Sequence, residues 1–216
     1  MVPDDIVLAM AELSADAVFG KIPENRYLYY IEEALKAGDA QAKKYGGMSV
    51  DQLCSELDVS LVVEDKSERL GTVNLRGQTM FEGGRAVIYV YKESIASLAE
   101  NSSWDGEPCL NIEDALDTHV YHELFHVLEE KNGYVSDSLE PVRLWKFFSH
   151  EHLSHITRCS EIAAHRFAKG MKDLPWLPNF YDYIYLYNTG ALKEDDFSSF
   201  FSRMRALVDK GKGGTP

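Results

Sequence analysis

Two histidines and a glutamate lie close together in the middle of the chain, as His122, Glu123 and His126. Residues four apart share one face of an α-helix, so the imidazoles of His122 and His126 can converge on one cation. The carboxylate of Glu123 would project beside that cation, where it can take a proton from a bound water. The H-E-x-x-H spacing therefore predicts a zinc site with two ligands and one general base.

The residues around this motif favour a helix with the motif on its polar face. At 100° per residue, apolar positions such as Val120, Leu124 and Leu128 form one arc, and the motif residues lie on the other. A solvated helix face would have the same pattern, and matches with three fixed letters arise by chance. The motif alone leaves a functional and a purely structural interpretation open.

A zinc hydrolase needs a third protein ligand and one position left for water. Glu129 and Glu130 lie on the motif helix itself, too close along its axis to complete a tetrahedron. Glu161 is favoured, because a helix packed across the motif helix can present a carboxylate opposite the two imidazoles. The competing interpretation of Glu161 is a surface salt bridge with Arg158 or Arg166. The remaining candidates are His150, His152, His155 and His165.

The pattern along the chain predicts an α+β fold in a single domain over residues 1–216. Helical spacing gives way near residue 59 to short runs rich in Val, Ile, Leu and Tyr, separated by glycines, as in strands joined by turns. The domain is predicted to comprise N-terminal helices (3–45), a core with the sheet and the zinc site (49–175) and a C-terminal helical extension (176–216). The predicted strands of a small, mostly antiparallel sheet are Val59 to Glu64, Thr72 to Arg76 and Arg85 to Tyr91.

Signals for helix ends place the other elements. Ser49 and Gln52 form a capping-box pattern, and Asn111 is predicted to cap the motif helix. A helix from His152 to Met171 would carry the third ligand, whereas the alternating tyrosines from Tyr181 to Tyr187 suit a strand, with a buried helix as the open alternative. Residues 136–149 are predicted to form a short helix or a packed loop. The other predicted helices are Pro3 to Phe19, Pro23 to Tyr45, Lys92 to Glu100 and Lys193 to Lys210.

The composition narrows the class of protein. The formal net charge is −13, whereas binding to nucleic acid or to an anionic membrane needs clustered Lys and Arg, so neither partner is expected. No stretch approaches the roughly 20 apolar residues of a membrane span, and early acidic residues argue against a signal peptide. Three separated cysteines without a C-x-x-C pair predict reduced thiols and a cytoplasmic location.

The segments around both predicted ligand groups resemble the ImmA/IrrE metallopeptidases. The resemblance rests on Tyr121 to His126 (YHELFH), on Glu161 to Ala168 (EIAAHRFA) and on the preceding order of helices and strands. It covers roughly Lys36 to Pro175, most of the chain. Phe125 replaces the glycine usual in the family, and the segment between the two motifs is somewhat long.

This resemblance implies a minimal zincin fold of the gluzincin type, with a small sheet packed on the H-E-x-x-H helix and on a second, glutamate-bearing helix. It implies Zn²⁺ as the cofactor, with His122, His126 and Glu161 as ligands and Glu123 as the general base. Members of the family include proteases that cleave helix-turn-helix repressors. The expected activity is therefore zinc-dependent endoproteolysis of a protein substrate, for which such a repressor is one candidate. The acidity of the chain is compatible with a basic partner.

A peptidase also needs a site for an extended substrate and a group that stabilises the oxyanion. An extended peptide can add to the edge of a sheet, and Ala86 to Tyr91 is the predicted edge strand. The candidates for the oxyanion are His165, His119 and a tyrosine between Tyr181 and Tyr187, for all of which a packing or orienting role competes.

Two other classes of protein compete with the enzyme. A non-catalytic regulatory or partner-binding module with a retained zinc site would use Phe125 to fill the space near the open metal position. In that module, one of the histidines from His150 to His155 would close the site. A helical structural protein with a chance motif is the least favoured class, because two separated motifs and the strand order agree.

Overall fold

The computed structural model describes residues 2–65, 68–70, 73–107, 109–148 and 150–213. Its helices and small sheets form the α+β class predicted from the sequence. The helices are α1 (Asp5–Ser14), α2 (Tyr27–Tyr45), α3 (Val50–Leu57), α4 (Lys92–Glu100), α5 (Ile112–Asn132), α6 (Val135–Ser138), α7 (Arg158–Lys172), α8 (Asn179–Asn188) and α9 (Glu194–Gly213). The strands are β1 (Val59–Glu64), β2 (Glu68–Leu70), β3 (Val73–Leu75), β4 (Gly77–Glu82), β5 (Arg85–Tyr91), β6 (Val142–Phe147) and β7 (His150–Ser154).

The largest sheet among the described residues has the strand order β1-β5-β4. β5 lies in its centre, parallel to β1 and antiparallel to β4. Ile88 and Val90 of β5 are fully buried, because a central strand packs its apolar side chains into the core. The prediction that Ala86 to Tyr91 is an edge strand is therefore wrong: β5 is hydrogen-bonded on both sides, and β4 is an edge.

The other described strands form two separate antiparallel pairs, β2 with β3 and β6 with β7. Antiparallel pairing predominates, as predicted, and β1 with β5 is the parallel exception. The predicted strand Thr72 to Arg76 corresponds to β3, which lies outside the main sheet, and Thr72 is not among the described residues. β4 escapes prediction because polar Gln78 and Thr79 precede Met80 and Phe81, which are exposed rather than alternately buried.

α5 and α7 pack against each other and against β5. The Asn111 side chain caps α5 by accepting a hydrogen bond from the Asp114 amide at 2.7 Å, and α5 ends at Asn132 before Gly133, as predicted. This shared core fixes the two helices relative to each other. Its buried residues include Val120, Leu124 and Phe125 of α5, Ala163, Ala164 and Phe167 of α7, and Ile88 and Val90 of β5.

α2 crosses α7 closely at Gly38. A Cβ added to Gly38 would collide with the carbonyl oxygen of Ala163 and lie 2.7 Å from Cβ of Arg166, so the crossing requires glycine. The Arg166 side chain pairs with Asp39 of α2 at 2.5 Å and with Asp5 of α1 at 2.6 Å. α1 and α2 therefore hold α7 on the side that faces away from the sheet.

α7 begins at Arg158, so the prediction of a helix starting at His152 is wrong. The residues before it form the β6–β7 hairpin, in which Trp145 and His152 stack with ring centroids 5.7 Å apart. The prediction of a short helix or packed loop over residues 136–149 is wrong for most of the segment, because only its first three residues lie in α6 and Val142–Phe147 form strand β6. The spacing of apolar residues does not predict this hairpin, because Trp145 and Leu153 remain about half exposed and do not mark a buried face.

The tyrosine-rich segment forms α8, so its interpretation as a strand is wrong and the helical alternative is confirmed. Phe180, Tyr181 and Ile184 are buried at helical spacing. The ring centroids of Phe180 and Phe197 lie 5.8 Å and 4.9 Å from that of Trp104, and these contacts join α8 to α9. Among the described residues, every helix falls short of the length and apolar character needed to cross a bilayer.

Candidate metal centre

Three side chains from α5 and α7 bring their donor atoms to one point. Nε2 of His122 lies 3.2 Å from Nε2 of His126. Glu161 places Oε2 3.3 Å from Nε2 of His122 and Oε1 3.6 Å from Nε2 of His126. The two histidines meet because they lie one turn apart on α5, whereas the carboxylate arrives through the packing of α7 across α5.

The donor atoms of these three residues can be compared with the spacing that a tetrahedral metal ion requires. Bonds of about 2.0–2.1 Å from a tetrahedral cation put neighbouring donors about 3.3 Å apart. The observed separations of 3.2, 3.3 and 3.6 Å are of this size, but the two His–Glu distances end at different oxygens of Glu161. The group in which one ligand atom from each residue lies within 4.8 Å of the others is His122, Glu161 and His165. Two imidazoles and one carboxylate also form the donor set of catalytic zinc sites that keep a position for water. The imidazole and carboxylate donors gathered here, with His165 beside them, could therefore hold a divalent cation.

The charges at this point are arranged around the carboxylate of Glu161. Burial alone would raise the pKa of Glu161, but His122 and His126 hold that pKa well below the ordinary value. Burial alone would lower the pKa of His126, whereas its contacts with Glu129 and Glu161 raise that pKa to about 10. Without a metal, this environment keeps Glu161 ionised and His126 protonated, so a metal ion that binds here must displace the proton from His126.

Glu129 orients the His126 ring through a contact with Nδ1. Its side chain is 3% exposed, and Oε2 accepts a hydrogen bond from Nδ1 of His126 at 3.1 Å. Oε1 accepts a second hydrogen bond from the amide of Val135 at 2.9 Å, so the carboxylate cannot rotate freely. A carboxylate on the far nitrogen of a histidine fixes its tautomer and leaves the other nitrogen free for a metal. Glu129 thus supports the site and does not join the trio of donors.

The surface salt bridges that competed for Glu161 are formed by other residues. Arg158 pairs with Glu12 of α1 at 2.6 Å, and Arg166 pairs with Asp5 and Asp39. The carboxylate of Glu161 instead faces the two histidines of α5. This arrangement contradicts the surface interpretation of Glu161.

Glu123 lies beside the trio and is held by the edge strand. Its Oε2 accepts a hydrogen bond of 2.7 Å from the hydroxyl of Thr79 in β4. The backbone approaches closely here, because a Cβ on Gly77 would lie 3.5 Å from Cγ of Glu123. The carboxylate therefore has a fixed position in the cleft, separate from the His122 and His126 donors, as a general base requires.

His165 also faces the site from α7. Its ring centroid lies 4.6 Å from that of His122, and one ligand atom from each of His122, Glu161 and His165 lies within 4.8 Å of the other two. Nε2 of His165 is 3.8 Å from Oε2 of Glu12. Burial and the neighbouring His122 lower the pKa of His165 well below the ordinary value, so its ring is neutral.

His122 and Glu161, but not His126, line a cleft of about 290 Å³ formed by residues from α1, β3, β4, α5, α7 and α8. Arg76, which lies just before β4, pairs with Asp182 of α8 across this cleft, and its guanidinium carbon is 5.4 Å from the ring centroid of Tyr185. Burial, together with Arg76, lowers the pKa of His119 to about 4. The cleft is therefore polar, and each of its two cationic groups is paired, Arg76 with Asp182 and Arg158 with Glu12.

The residues proposed to close a non-catalytic site lie elsewhere. His150 and His152 are exposed on the β6–β7 hairpin, and Nδ1 of His155 lies 3.0 Å from the carbonyl oxygen of Ser136. Phe125 is 2% exposed and packs on Phe167 with ring centroids 5.7 Å apart. Phe125 therefore fills the core between α5 and α7 and leaves the cleft open.

Several cleft residues escape sequence reasoning because each comes from a different element. No local sequence pattern links the motif to Glu12, Thr79, Arg76 or Asp182. Only tertiary packing brings these residues near it. Glu129 and His165 could be identified as candidates from the sequence, since both lie near a predicted ligand at helical spacing.

The chain matches no protein-family model, no curated protein and no solved structure. The geometry of the cleft and the chemistry of its side chains therefore carry the functional argument.

Proposed function

We propose that this protein is a zinc-dependent endopeptidase of the ImmA/IrrE type, with a minimal gluzincin-like zincin fold. The observation that carries the proposal is the convergence of Nε2 of His122, Nε2 of His126 and the Glu161 carboxylate at separations of 3.2–3.6 Å. These three residues are the proposed ligands, and the His₂Glu donor set favours Zn²⁺.

The proposed reaction is hydrolysis of a peptide bond by water. Zinc bound to these ligands would lower the pKa of a water toward neutrality and polarise the substrate carbonyl. Glu123 accepts a proton from the attacking water on its carboxylate and delivers it to the leaving amine. Thr79 holds Oε2 of Glu123 at 2.7 Å, so the other oxygen is left for the proton transfer.

The substrate is proposed to bind as an extended strand along β4. No described strand pairs with the outer side of β4, and Thr79 links this strand to Glu123. A peptide that adds to such an edge is held by main-chain hydrogen bonds, which place its backbone at a fixed distance from the catalytic groups. Met80 and Phe81 are about half exposed on β4 and offer apolar contacts for substrate side chains.

The partner is proposed to be a protein with a basic surface, and a helix-turn-helix repressor is one candidate. The net charge of −13 favours encounters with such a partner by charge complementarity. Direct binding of nucleic acid is not part of the proposal, because it would require clustered Lys and Arg.

The first experiment is elemental analysis of the purified protein beside His126→Ala and Glu161→Ala. Zinc at about one equivalent in the parent, lost in both variants, is the expected result. His155→Ala is the matched control, because this histidine contacts the Ser136 carbonyl rather than the trio. A parent that contains no zinc and takes up none on addition would overturn the proposal.

The alternative is a non-catalytic module that retains a closed zinc site. The position of His165 favours this candidate, because its donor lies in the same 4.8 Å group as His122 and Glu161 and could occupy the fourth metal position. A closed site predicts that His165→Ala loses zinc as readily as Glu161→Ala. An open site predicts that His165→Ala keeps it.

A further inference from the structure

A second cavity, of about 430 Å³, lies where α1, α8 and α9 meet. Its described lining residues are all different from those of the cleft at the candidate metal centre. Cavities that bind small molecules have volumes of about 300–1,000 Å³ and are lined mainly by apolar and aromatic side chains. The second cavity is therefore large enough for a small organic molecule, and its walls can be compared with those of such sites.

Most of the side chains that line the second cavity are apolar, and four of them are aromatic. Phe197 and Phe201 lie one turn apart on α9, are both buried, and have ring centroids 4.9 Å apart. The ring centroid of Trp104 lies 4.9 Å from that of Phe197 and 5.3 Å from that of Tyr187. Because each ring packs on another, the aromatic wall is in place before a ligand binds. Such a wall favours a ligand with an apolar, aromatic body.

One charge in the second cavity is balanced and one is not. Nη1 of Arg205 pairs with Oδ2 of Asp4 at 2.8 Å, and Oδ1 of Asp4 accepts a hydrogen bond from the Val7 amide at 2.9 Å. Glu194, the first residue of α9, is exposed, and its carboxylate forms no ion pair or hydrogen bond with a described residue. The walls therefore carry one uncompensated negative charge, at a side of the cavity that is open to solvent.

We propose that the second cavity binds a small organic cation with an apolar, aromatic body. The aromatic side chains bind the body, and the cationic head pairs with Glu194. The dipole of α9 places about half a positive charge near this end of the helix, and the carboxylates of Asp195 and Asp196 in the same turn offset it. The inference goes beyond the proposed peptidase function, because neither the metal nor the cleft takes part.

The charges also disfavour the other classes of ligand. An anion would be repelled by Glu194, and it could bind Arg205 only by displacing Asp4, which also caps α1. A neutral molecule would bury its body in the same way but would gain no attraction from Glu194. The predicted order of affinity for ligands of one size is therefore cation, then neutral molecule, then anion.

The test compares three molecules of similar size and different charge: 4-phenylbutylamine, 4-phenylbutanol and 4-phenylbutyrate. Their affinities for the full chain are measured at neutral pH by saturation-transfer NMR, with and without EDTA, so that a bond between the amine and a metal would be detected. The amine is expected to bind with a Kd of about 1–10 mM, as is typical of so small a ligand. It should bind at least about threefold more tightly than the alcohol, as expected for a partly exposed ion pair. The butyrate should bind most weakly, and EDTA should change none of the three affinities.

Two pairs of variants locate the ligand. Glu194→Gln should remove the preference for the amine over the alcohol, whereas Asp195→Asn should keep it, because Asp195 is exposed on the next position and does not line the cavity. Ser198→Trp should weaken binding of the amine at least about tenfold, because the indole would occupy the cavity. Ser199→Trp is its control, since Ser199 is equally exposed on α9 but lies outside the lining.

Equal affinities of the amine and the alcohol in the parent, or a preference for the amine that persists in Glu194→Gln, would overturn the assignment of a cationic ligand. Absence of amine binding at about ten times the expected Kd, or equal binding to Ser198→Trp and Ser199→Trp, would show that the second cavity is not the site. The proposed function stands or falls separately, because zinc content and peptide cleavage do not depend on these measurements.

Discussion

The Thr79 hydroxyl donates a hydrogen bond of 2.7 Å to Oε2 of Glu123, and this bond joins β4 to α5. A single side chain of the edge strand therefore sets the position of the proposed general base. The same strand is the proposed binding site for the substrate backbone. The scissile bond and the base would thus be positioned by one element, and a shift of β4 would move both together.

In Glu123→Gln, the side chain is expected to keep its position but to lose its ability to act as a general base. The glutamine oxygen can still accept from Thr79, but an amide does not take up a proton from water. We expect at least about a 100-fold fall in kcat, with zinc content unchanged. The measurement is cleavage of those fluorogenic library peptides that the parent hydrolyses, beside elemental analysis of both proteins. A variant that cleaves these peptides at the parental rate would show that Glu123 is not the base.

Glu129→Gln is expected to weaken metal binding without removing a ligand. The substitution replaces a buried carboxylate that accepts from Nδ1 of His126 and from the Val135 amide. Loss of such a partner lowers metal affinity by about 10–100-fold. Competition for zinc with a coloured chelator measures the effect. Glu130→Gln is the matched control, since Glu130 is exposed on the next position of α5 and contacts Tyr134. Equal affinities in the two variants would contradict the assigned role.

Removal of the metal is expected to lower thermal stability, because the cation would join α5 to α7. A ligand present at 1,000 times its Kd stabilises the folded state by about 4 kcal/mol. For a chain of this size, that corresponds to a change in Tm of about 10 °C. Thermal denaturation followed by circular dichroism, with and without EDTA, measures it. Glu161→Ala should have the same Tm with and without EDTA. If EDTA lowers the Tm of Glu161→Ala as much as that of the parent, Glu161 is not a ligand.

Gly38→Ala is expected to destabilise the protein, although alanine favours helices over glycine by about 1 kcal/mol. The new Cβ would collide with the Ala163 carbonyl oxygen and approach Arg166, neither of which can move without shifting α7. Overpacking of this kind costs about 1–3 kcal/mol beyond the gain in propensity. Urea denaturation of the metal-free protein gives the free energy of unfolding. Gly20→Ala is the control, because a Cβ there meets nothing within 4 Å. Similar stability in both variants would contradict the close crossing of α2 and α7.

Features encoded within a few residues could be predicted from the sequence. The Ser49–Gln52 capping box, the Asn111 cap and the end of α5 at Asn132 all appear in the structure, because side chains within one turn determine them. The placement of His122 beside His126 belongs to the same class, since helix geometry alone brings them together.

Features that depend on distant packing could not be predicted in this way. The alternation of tyrosines in α8 is also typical of a strand. The helix is distinguished from a strand only by the burial of Phe180 and Ile184 against other helices. β4 and the β6–β7 hairpin expose apolar residues, so their burial pattern carries little signal. Thr79 and Glu12 reach the cleft through contacts of long sequence separation, which no local pattern records.

The pairing of α7 with α1 and α2 also has a consequence for the order of events during synthesis. Arg158 pairs with Glu12, and Arg166 pairs with Asp5 and Asp39, so these partners on α1 and α2 precede α7 by more than a hundred positions in the chain. When α5 has left the ribosome, the nascent chain presents His122 and His126 but not yet Glu161. The N-terminal helices can therefore complete their packing only after α7 has been synthesised, and the cleft is completed late in synthesis.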